Sequence, residues 1–182
     1  MQSESEFIVR NATPDEYRDV GVLMVEVYAQ LAGFPSPTEQ PAYYQMLRDV
    51  GTLTDRPDTE LLVAAGPGNA IWGAVVYFGD MQYYGSGGTA TREPNAAGFR
   101  LLAVSPAARG RGIGRRLTQA CIAKARQAQR HQLIIHTTKA MMIAWGMYEK
   151  MGFQRSEDLD FMQGDLPVFG FRLMLNQKTG AD

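Results

Sequence analysis

Residues 7–10, Phe-Ile-Val-Arg, are a short apolar run closed by a charge, which reads as a strand. Thr13-Pro14-Asp15-Glu16 follows, bringing an N-cap residue, a proline for the first turn and two acids that suit the positive end of a helix dipole. The helix so started carries Val20, Leu23, Val27 and Leu31 on one face, and Gly33, Pro35 and Pro37 end it. A second, short helix is expected over 39–49. Residues 60–65 and 71–78 are apolar runs of strand length around the turn Pro67-Gly68-Asn69, which predicts an antiparallel hairpin.

The segment 85–95, with Gly85-Ser86-Gly87-Gly88 inside it, has turn composition and predicts a mobile loop before a further apolar strand at 99–104. Beyond that strand Ile113, Leu117, Ala120, Cys121, Ala125 and Ala128 trace one face of a helix. A strand at 133–137, a helix at 140–151 ended by Gly152 and a closing strand at 168–175 complete an α/β reading. Neither an internal repeat nor a low-complexity segment interrupts it, so a single domain is expected over 1–182.

Composition narrows the chemistry by exclusion. The net charge is -1 and the pI about 6.1, far from the basic balance of a general nucleic-acid binder. One cysteine rules out an internal disulfide framework and a multi-cysteine zinc site, so no metal is expected, and it fits a reducing compartment. No apolar stretch reaches the roughly 18 residues of a membrane span. Residues 1–6 are polar and acidic where a signal peptide would be basic and then apolar. A cytoplasmic protein with no membrane or nucleic-acid partner is the expectation.

The informative stretch runs Leu101-Leu102-Ala103-Val104-Ser105-Pro106-Ala107-Ala108-Arg109-Gly110-Arg111-Gly112-Ile113-Gly114-Arg115-Arg116-Leu117. It places a glycine- and arginine-rich turn between a strand and a helix. The first turn of a helix has unpaired N–H groups and the positive end of the dipole, and so can hold a phosphate or pyrophosphate. Gly110, Gly112 and Gly114 let an anion approach the backbone, while Arg109, Arg111, Arg115 and Arg116 add charge. Two familiar phosphate loops fail here. The mononucleotide loop needs Gly-Lys-Ser/Thr, where this chain has Gly114-Arg115-Arg116, and the dinucleotide fingerprint needs an early βαβ unit.

The segment resembles the GNAT superfamily of N-acetyltransferases, whose signature is Gln/Arg-x-x-Gly-x-Gly/Ala between a strand and a long helix. Arg109, Gly112 and Gly114 fit it, Val104-Ser105-Pro106 precedes it, and Met147-Tyr148-Glu149-Lys150-Met151-Gly152-Phe153 matches the second signature. The resemblance implies an α+β fold, a mixed, mainly antiparallel central sheet flanked by helices. It also implies acetyl-CoA as co-substrate and direct transfer to a primary amine of a small molecule or protein. By the same resemblance Leu102, Ala103 and Val104 pair with the pantetheine arm, and Arg109, Gly110, Arg111, Gly112, Ile113, Gly114 and Arg115 cradle the pyrophosphate. Homodimers are common in the family.

Transfer from a thioester needs a proton for the departing thiolate, and a tyrosine is protonated at neutral pH, so Tyr148 is the catalytic candidate. The carboxylate that relatives often carry two residues before the arginine of this strand is missing: the chain reads Gly98-Phe99-Arg100. His136, with Asp80, Glu93, Asp158 and Asp160 behind it, is a candidate base, and an amine of lowered pKa would need none. Met141 stands where many relatives have a cofactor-touching asparagine, and Met141, Met142 and Met147 read as flexible apolar filling. Cys121, Trp72 and Trp145 are expected in the core. The acceptor is expected between residues 33–39 and 79–95, with Tyr43, Tyr83 and Tyr84 as lining candidates. The alternatives are a non-catalytic acyl-CoA-binding sensor and an acyltransferase for a longer acyl-CoA.

Overall fold

Apolar runs with no polar face need cover on both sides, and the sheet receives it. The structure, a computed structural model, describes residues 6–175; the polar stretch read at residues 1–5 lies outside them. In chain order the elements are β1 (Ile8–Asn11), α1 (Tyr17–Ala29), α2 (Pro41–Arg48), β2 (Thr59–Ala65), β3 (Ile71–Phe78) and β4 (Ala96–Val104). After these come α3 (Ile113–Gln127), β5 (Gln132–Thr137), α4 (Met142–Lys150), β6 (Gln154–Arg155), β7 (Phe161–Gln163) and β8 (Leu166–Met174). The sheet order is β1-β2-β3-β4-β5-β8-β6, with β7 paired to the start of β8. Only β4 and β5 run parallel; the other pairs are antiparallel, as the mixed, mainly antiparallel sheet requires.

The N-terminal signal works as read: the Thr13 N–H donates to the Glu16 carboxylate at 2.9 Å, and Arg10 grips the same carboxylate from β1 at 2.7 and 3.0 Å. Helix α1 then buries Val20, Leu23, Met24 and Val27 with Tyr44 and Leu47 of α2 over one face of β2, β3 and β4. The opposite face packs Ile113, Leu117, Cys121 and Ala125 of α3 on Leu62, Ala64, Val75 and Tyr77. Alternate residues of each strand thus feed two cores. No helix among the described residues is long and apolar enough to cross a membrane.

Strand β4 breaks that alternation. Ala97 and Phe99 face α3, yet Leu101 and Ala103, of the same parity, face α1. The inversion comes from a bulge: two steps on β3, from Ala74 to Val76, match three on β4, from Ala103 to Arg100, and Leu101 has φ 61°. Pairing to β5 covers only Ala96–Gly98 against Gln132–Ile134, so from Phe99 onward the two strands part.

Some sequence expectations shift. Strand β4 begins three residues before the expected 99, because its first residues are the ones that pair with β5. The segment 85–95, expected as a mobile loop, is packed: Ala90 is fully buried in a short 3-10 turn, and Thr89 Oγ1 donates to the Asp158 carbonyl at 2.9 Å. Helix α4 starts two residues after the expected 140, behind a 3-10 turn at Lys139–Met141.

Gly21 lies where α1 touches the end of α2: a Cβ there would stand 2.1 Å from the Arg48 carbonyl oxygen. Gly21→Ala should therefore cost about 1–3 kcal/mol of stability instead of the gain of up to ~1 kcal/mol that helix propensity alone offers. Urea denaturation of the two proteins decides the sign.

Candidate functional site

The parting of β4 from β5 leaves backbone groups of β4 without a strand partner. Ser105 N–H donates to the Trp72 carbonyl at 2.8 Å, so by antiparallel alternation Ala103 also turns its N–H and C=O to β3, and Val104 turns its own away. Leu102 faces the opening as well: its carbonyl accepts from the Tyr28 hydroxyl at 3.3 Å. Of the three residues singled out in this strand, Leu102 and Val104 thus present open backbone groups, while Ala103 contributes a buried side chain.

Three elements meet beside this opening. A Cβ placed on Gly114, in the first turn of α3, would lie 3.8 Å from the side chains of Leu102, Val104 and Met147 alike. Gly112 caps the helix in the left-handed region at φ 74°, and Gly110 has φ 80°; a Cβ on either would meet nothing within 4 Å. The turn is therefore held by glycine conformation, and the space before it is clear of protein atoms.

The four arginines of the turn divide. Arg111 stacks on the Trp72 ring at 4.8 Å and pairs with Glu6, and Arg116 lies over the Phe7 ring at 5.2 Å. Arg109 and Arg115 are exposed around the helix N-terminus. Ile113 is buried and anchors the turn to the core.

Tyr148 lies on α4, in the core on the α3 side of the sheet. Its ring meets Phe99 of β4 at 5.9 Å and Phe153 at 5.6 Å, both edge-on. Gly152, at φ 96°, reverses the chain so that the Phe153 N–H donates to the Tyr148 carbonyl at 3.0 Å. Tyr148 is 4% exposed, and burial pushes its phenol well above the usual tyrosine range, so it stays protonated.

The place of the missing carboxylate is filled. A Cβ on Gly98 would stand 2.7 Å from both the Met81 sulfur and the Ile134 carbonyl oxygen, and 3.0 Å from the Tyr84 ring. The Tyr84 hydroxyl donates to His136 Nδ1 at 2.9 Å, since His136 Nε2–H must donate to the Leu159 carbonyl at 2.8 Å. Both imidazole nitrogens are thus engaged, and burial pulls His136 down to about 4. Tyr84 is fully buried and does not line a surface; Tyr43 and Tyr83 are half-buried.

The carboxylate candidates are committed elsewhere. Glu93 and Asp158 hold Arg172, Asp160 holds Arg155 and the Gly170 N–H, and Asp80 accepts from the Gln82 N–H. Cys121 is fully buried, and burial pushes its thiol up. Trp72 and Trp145 are half-buried at the rim of the α3-side core, and Met141 is half-buried beside the α1-side core. Among the described residues no three His, Cys, Asp or Glu side chains gather as a metal site would require.

This arrangement has counterparts. The acetyltransferase (GNAT) family matches residues 24–153. No curated protein matches the chain. Among solved structures, a GNAT-family acetyltransferase from Staphylococcus aureus Mu50 superposes with a TM-score of 0.72 at 13% identity, over 93% of this chain and 99% of that one. A GCN5-related N-acetyltransferase from Kribbella flavida gives 0.66 at 19% identity, over 93% and 98%. The yncA protein of Salmonella typhimurium, solved with its cofactor acetyl-CoA, gives 0.61 at 16% identity, over 97% and 98%.

The buried His136 makes a stability prediction. Its folded pKa lies below that of an unfolded histidine, so the unfolded chain binds the extra proton first and stability falls as pH drops from about 6.5 to about 4. The loss should reach about 3 kcal/mol across that window. Denaturation midpoints against pH should show this slope, and His136→Asn should flatten it.

Proposed function

The chain belongs to the GNAT family of acetyltransferases, and we propose that it is an acetyl-CoA-dependent N-acetyltransferase acting by direct transfer to a primary amine. The observation that carries the reading is the convergence of the open limb of β4, the first turn of α3 and Met147 of α4 around Gly114. An extended arm bearing amides can pair with the Leu102 and Val104 backbone as an added strand would. A pyrophosphate at its far end would meet residues 109–115, where helix N–H groups, the dipole and the exposed Arg109 and Arg115 all favour negative charge. Gly110 and Gly112 face open space, so no side chain of this chain stands in the way of such a group. That the described strands form one continuous sheet supports reading the whole chain as one domain.

In this reading a neutral amine attacks the thioester carbonyl beside β4, the carbon–sulfur bond breaks, and Tyr148 gives its hydroxyl proton to the departing thiolate. Burial makes the phenol a weaker acid, so it gives up its proton only as the basic thiolate forms beside it, and the tyrosinate regains a proton from solvent once the thiol leaves. His136 is doubly hydrogen-bonded and the four carboxylates are paired, so the proton released by the amine passes to solvent rather than to a dedicated side chain.

Calorimetric titration with acetyl-CoA, which requires no knowledge of the amine, should give micromolar affinity; none at millimolar ligand would remove the donor and the function with it. Gly112→Val should weaken that affinity by about tenfold or more, through a side chain in the cradle and strain at a positive φ. Once an amine is found, Tyr148→Phe should lower kcat by about 10²-fold with little change in acetyl-CoA affinity. An unchanged kcat would reject Tyr148 as proton donor.

A further inference from the structure

Three half-buried arginines in this fold meet carboxylates: Arg10 meets Glu16, Arg155 meets Asp160, and Arg172 meets Glu93 and Asp158. Arg100 is half-buried too, and no carboxylate among the described residues pairs with it. It belongs to β4, two residues before Leu102, on the face that carries α1 and Tyr84. Its Nη1 donates to the Tyr84 carbonyl at 2.9 Å, and its guanidinium lies over the Tyr84 ring at 5.6 Å. A guanidinium has five N–H donors, so most remain for another partner.

The Arg100 charge acts on Tyr28, Tyr43, Tyr84 and His136, and the Asp160 carboxylate acts on His136 as well. Burial raises the three phenols, with Tyr43 pushed up to about 12, and lowers the imidazole, so all four are neutral near pH 7. A second guanidinium adds to the field: a Cβ on Gly85 would stand 2.9 Å from Arg56 Nη1 and 3.3 Å from Arg100 Nη1. Arg56 is anchored by its own bond to the Tyr83 carbonyl at 2.9 Å. Asp160 is held by Arg155, and Asp80 accepts from the Gln82 N–H. Attraction for an anion is strong against such an aromatic wall, because little water screens it.

We propose that Arg100 binds the carboxylate of the acceptor, so that the substrate is an amino acid, with its amine and carboxylate on one small molecule. The inference rests on the acetyltransferase reading above. Arg100 and Leu102 are at most about 7 Å apart along an extended strand, a span that the guanidinium and a bound amino acid bridge together. The carboxylate held at Arg100 would bring the amine beside the limb of β4 that has parted from β5, next to the Leu102 carbonyl held by Tyr28. Planar guanidinium–carboxylate pairing also orients the acceptor, since two parallel N–H···O bonds fix its rotation.

The test is thiol release from acetyl-CoA with L-amino acids set beside their decarboxylated amines: phenylalanine with phenethylamine, leucine with isoamylamine, lysine with cadaverine. At least one amino acid should exceed its partner amine in kcat/KM by about 30-fold, the size of a charge-assisted contact. Arg100→Gln should remove most of that advantage through KM, lowering kcat/KM on the amino acid far more than on its decarboxylated amine. Equal or better rates with the decarboxylated amines, or an equal loss on both classes, would overturn the proposal. So would turnover of no amino acid in the panel by protein that binds acetyl-CoA. A variant that fails to fold is bypassed by the wild type: the preferred amino acid, and not its amine, should raise the melting temperature in the presence of coenzyme A. Absence of acetyl-CoA binding in the titration would instead reject the acetyltransferase reading itself, so the two failures are separable.

Discussion

One extra residue in β4 organises the molecule. A strand buried on both faces has no polar side to fix its phase, so an insertion of one residue shifts which core every later side chain enters. Leu101 takes the left-handed φ of 61° that this requires, a conformation costing a branched residue of order 1–3 kcal/mol. Burial on the α1 face offsets that cost, since Leu101 is 6% exposed among apolar neighbours. The bulge coincides with the end of β4–β5 pairing at Gly98. Beyond it the Leu102 and Val104 backbone must find partners outside the sheet, because unpaired buried peptide groups are expensive. Tyr28 meets one of these needs from α1.

The same step separates the electrostatics of the two faces. On the α3 side the helix N-terminus sums its dipole with Arg109 and Arg115, while Arg111 and Arg116 lie flat on Trp72 and Phe7. Those stacked arginines close the first strand against the turn, so their charge is partly spent on holding structure. On the α1 side the wall is aromatic, and burial keeps its phenols neutral. Arg100 and Leu101 are adjacent in sequence yet both face α1, a consequence of the bulge that puts a charge beside the start of the open limb.

Much of this was legible in the sequence because it is local. Thr13 to Glu16, the apolar face from Ile113 to Ala125 and the Gly152 stop each encode a cap or period within a few residues, and the structure follows them. The glycine and arginine turn was equally plain, since composition and position coincide there. What escaped depends on distant partners. The start of β4 is set by three residues of β5, and β6 and β7 are too short for any period to show. The segment 85–95 looked loose because its glycines carry no side chain. Yet a Cβ on Gly87 would stand 2.8 Å from the Phe161 ring, so those glycines mark close packing. Nor could the strand pattern tell that Ala103 turns its backbone to β3 while its neighbours do not, since that follows from the bulge.

Gly98 shows how a missing functional group can be a packing requirement. The sequence records only that no carboxylate stands before Arg100; the structure gives the reason. Met81, Tyr84 and the Ile134 carbonyl leave no room for a Cβ, and the backbone of Ile134 cannot yield without breaking one of the few β4–β5 contacts. Tyr84 in turn is fixed by His136, and His136 by the Leu159 carbonyl, so the interior at this point is a hydrogen-bonded stack with every imidazole nitrogen used. Such a stack rigidifies the end of the opening but removes any base of suitable pKa from it. Removing a carboxylate and leaving Arg100 reverses the charge on that side of the strand. In the reading proposed above, a site that a glutamate would have turned toward a cation favours an anion, and proton removal falls to solvent around the amine. The geometry of β4 therefore couples the choice of acceptor to the way its proton leaves.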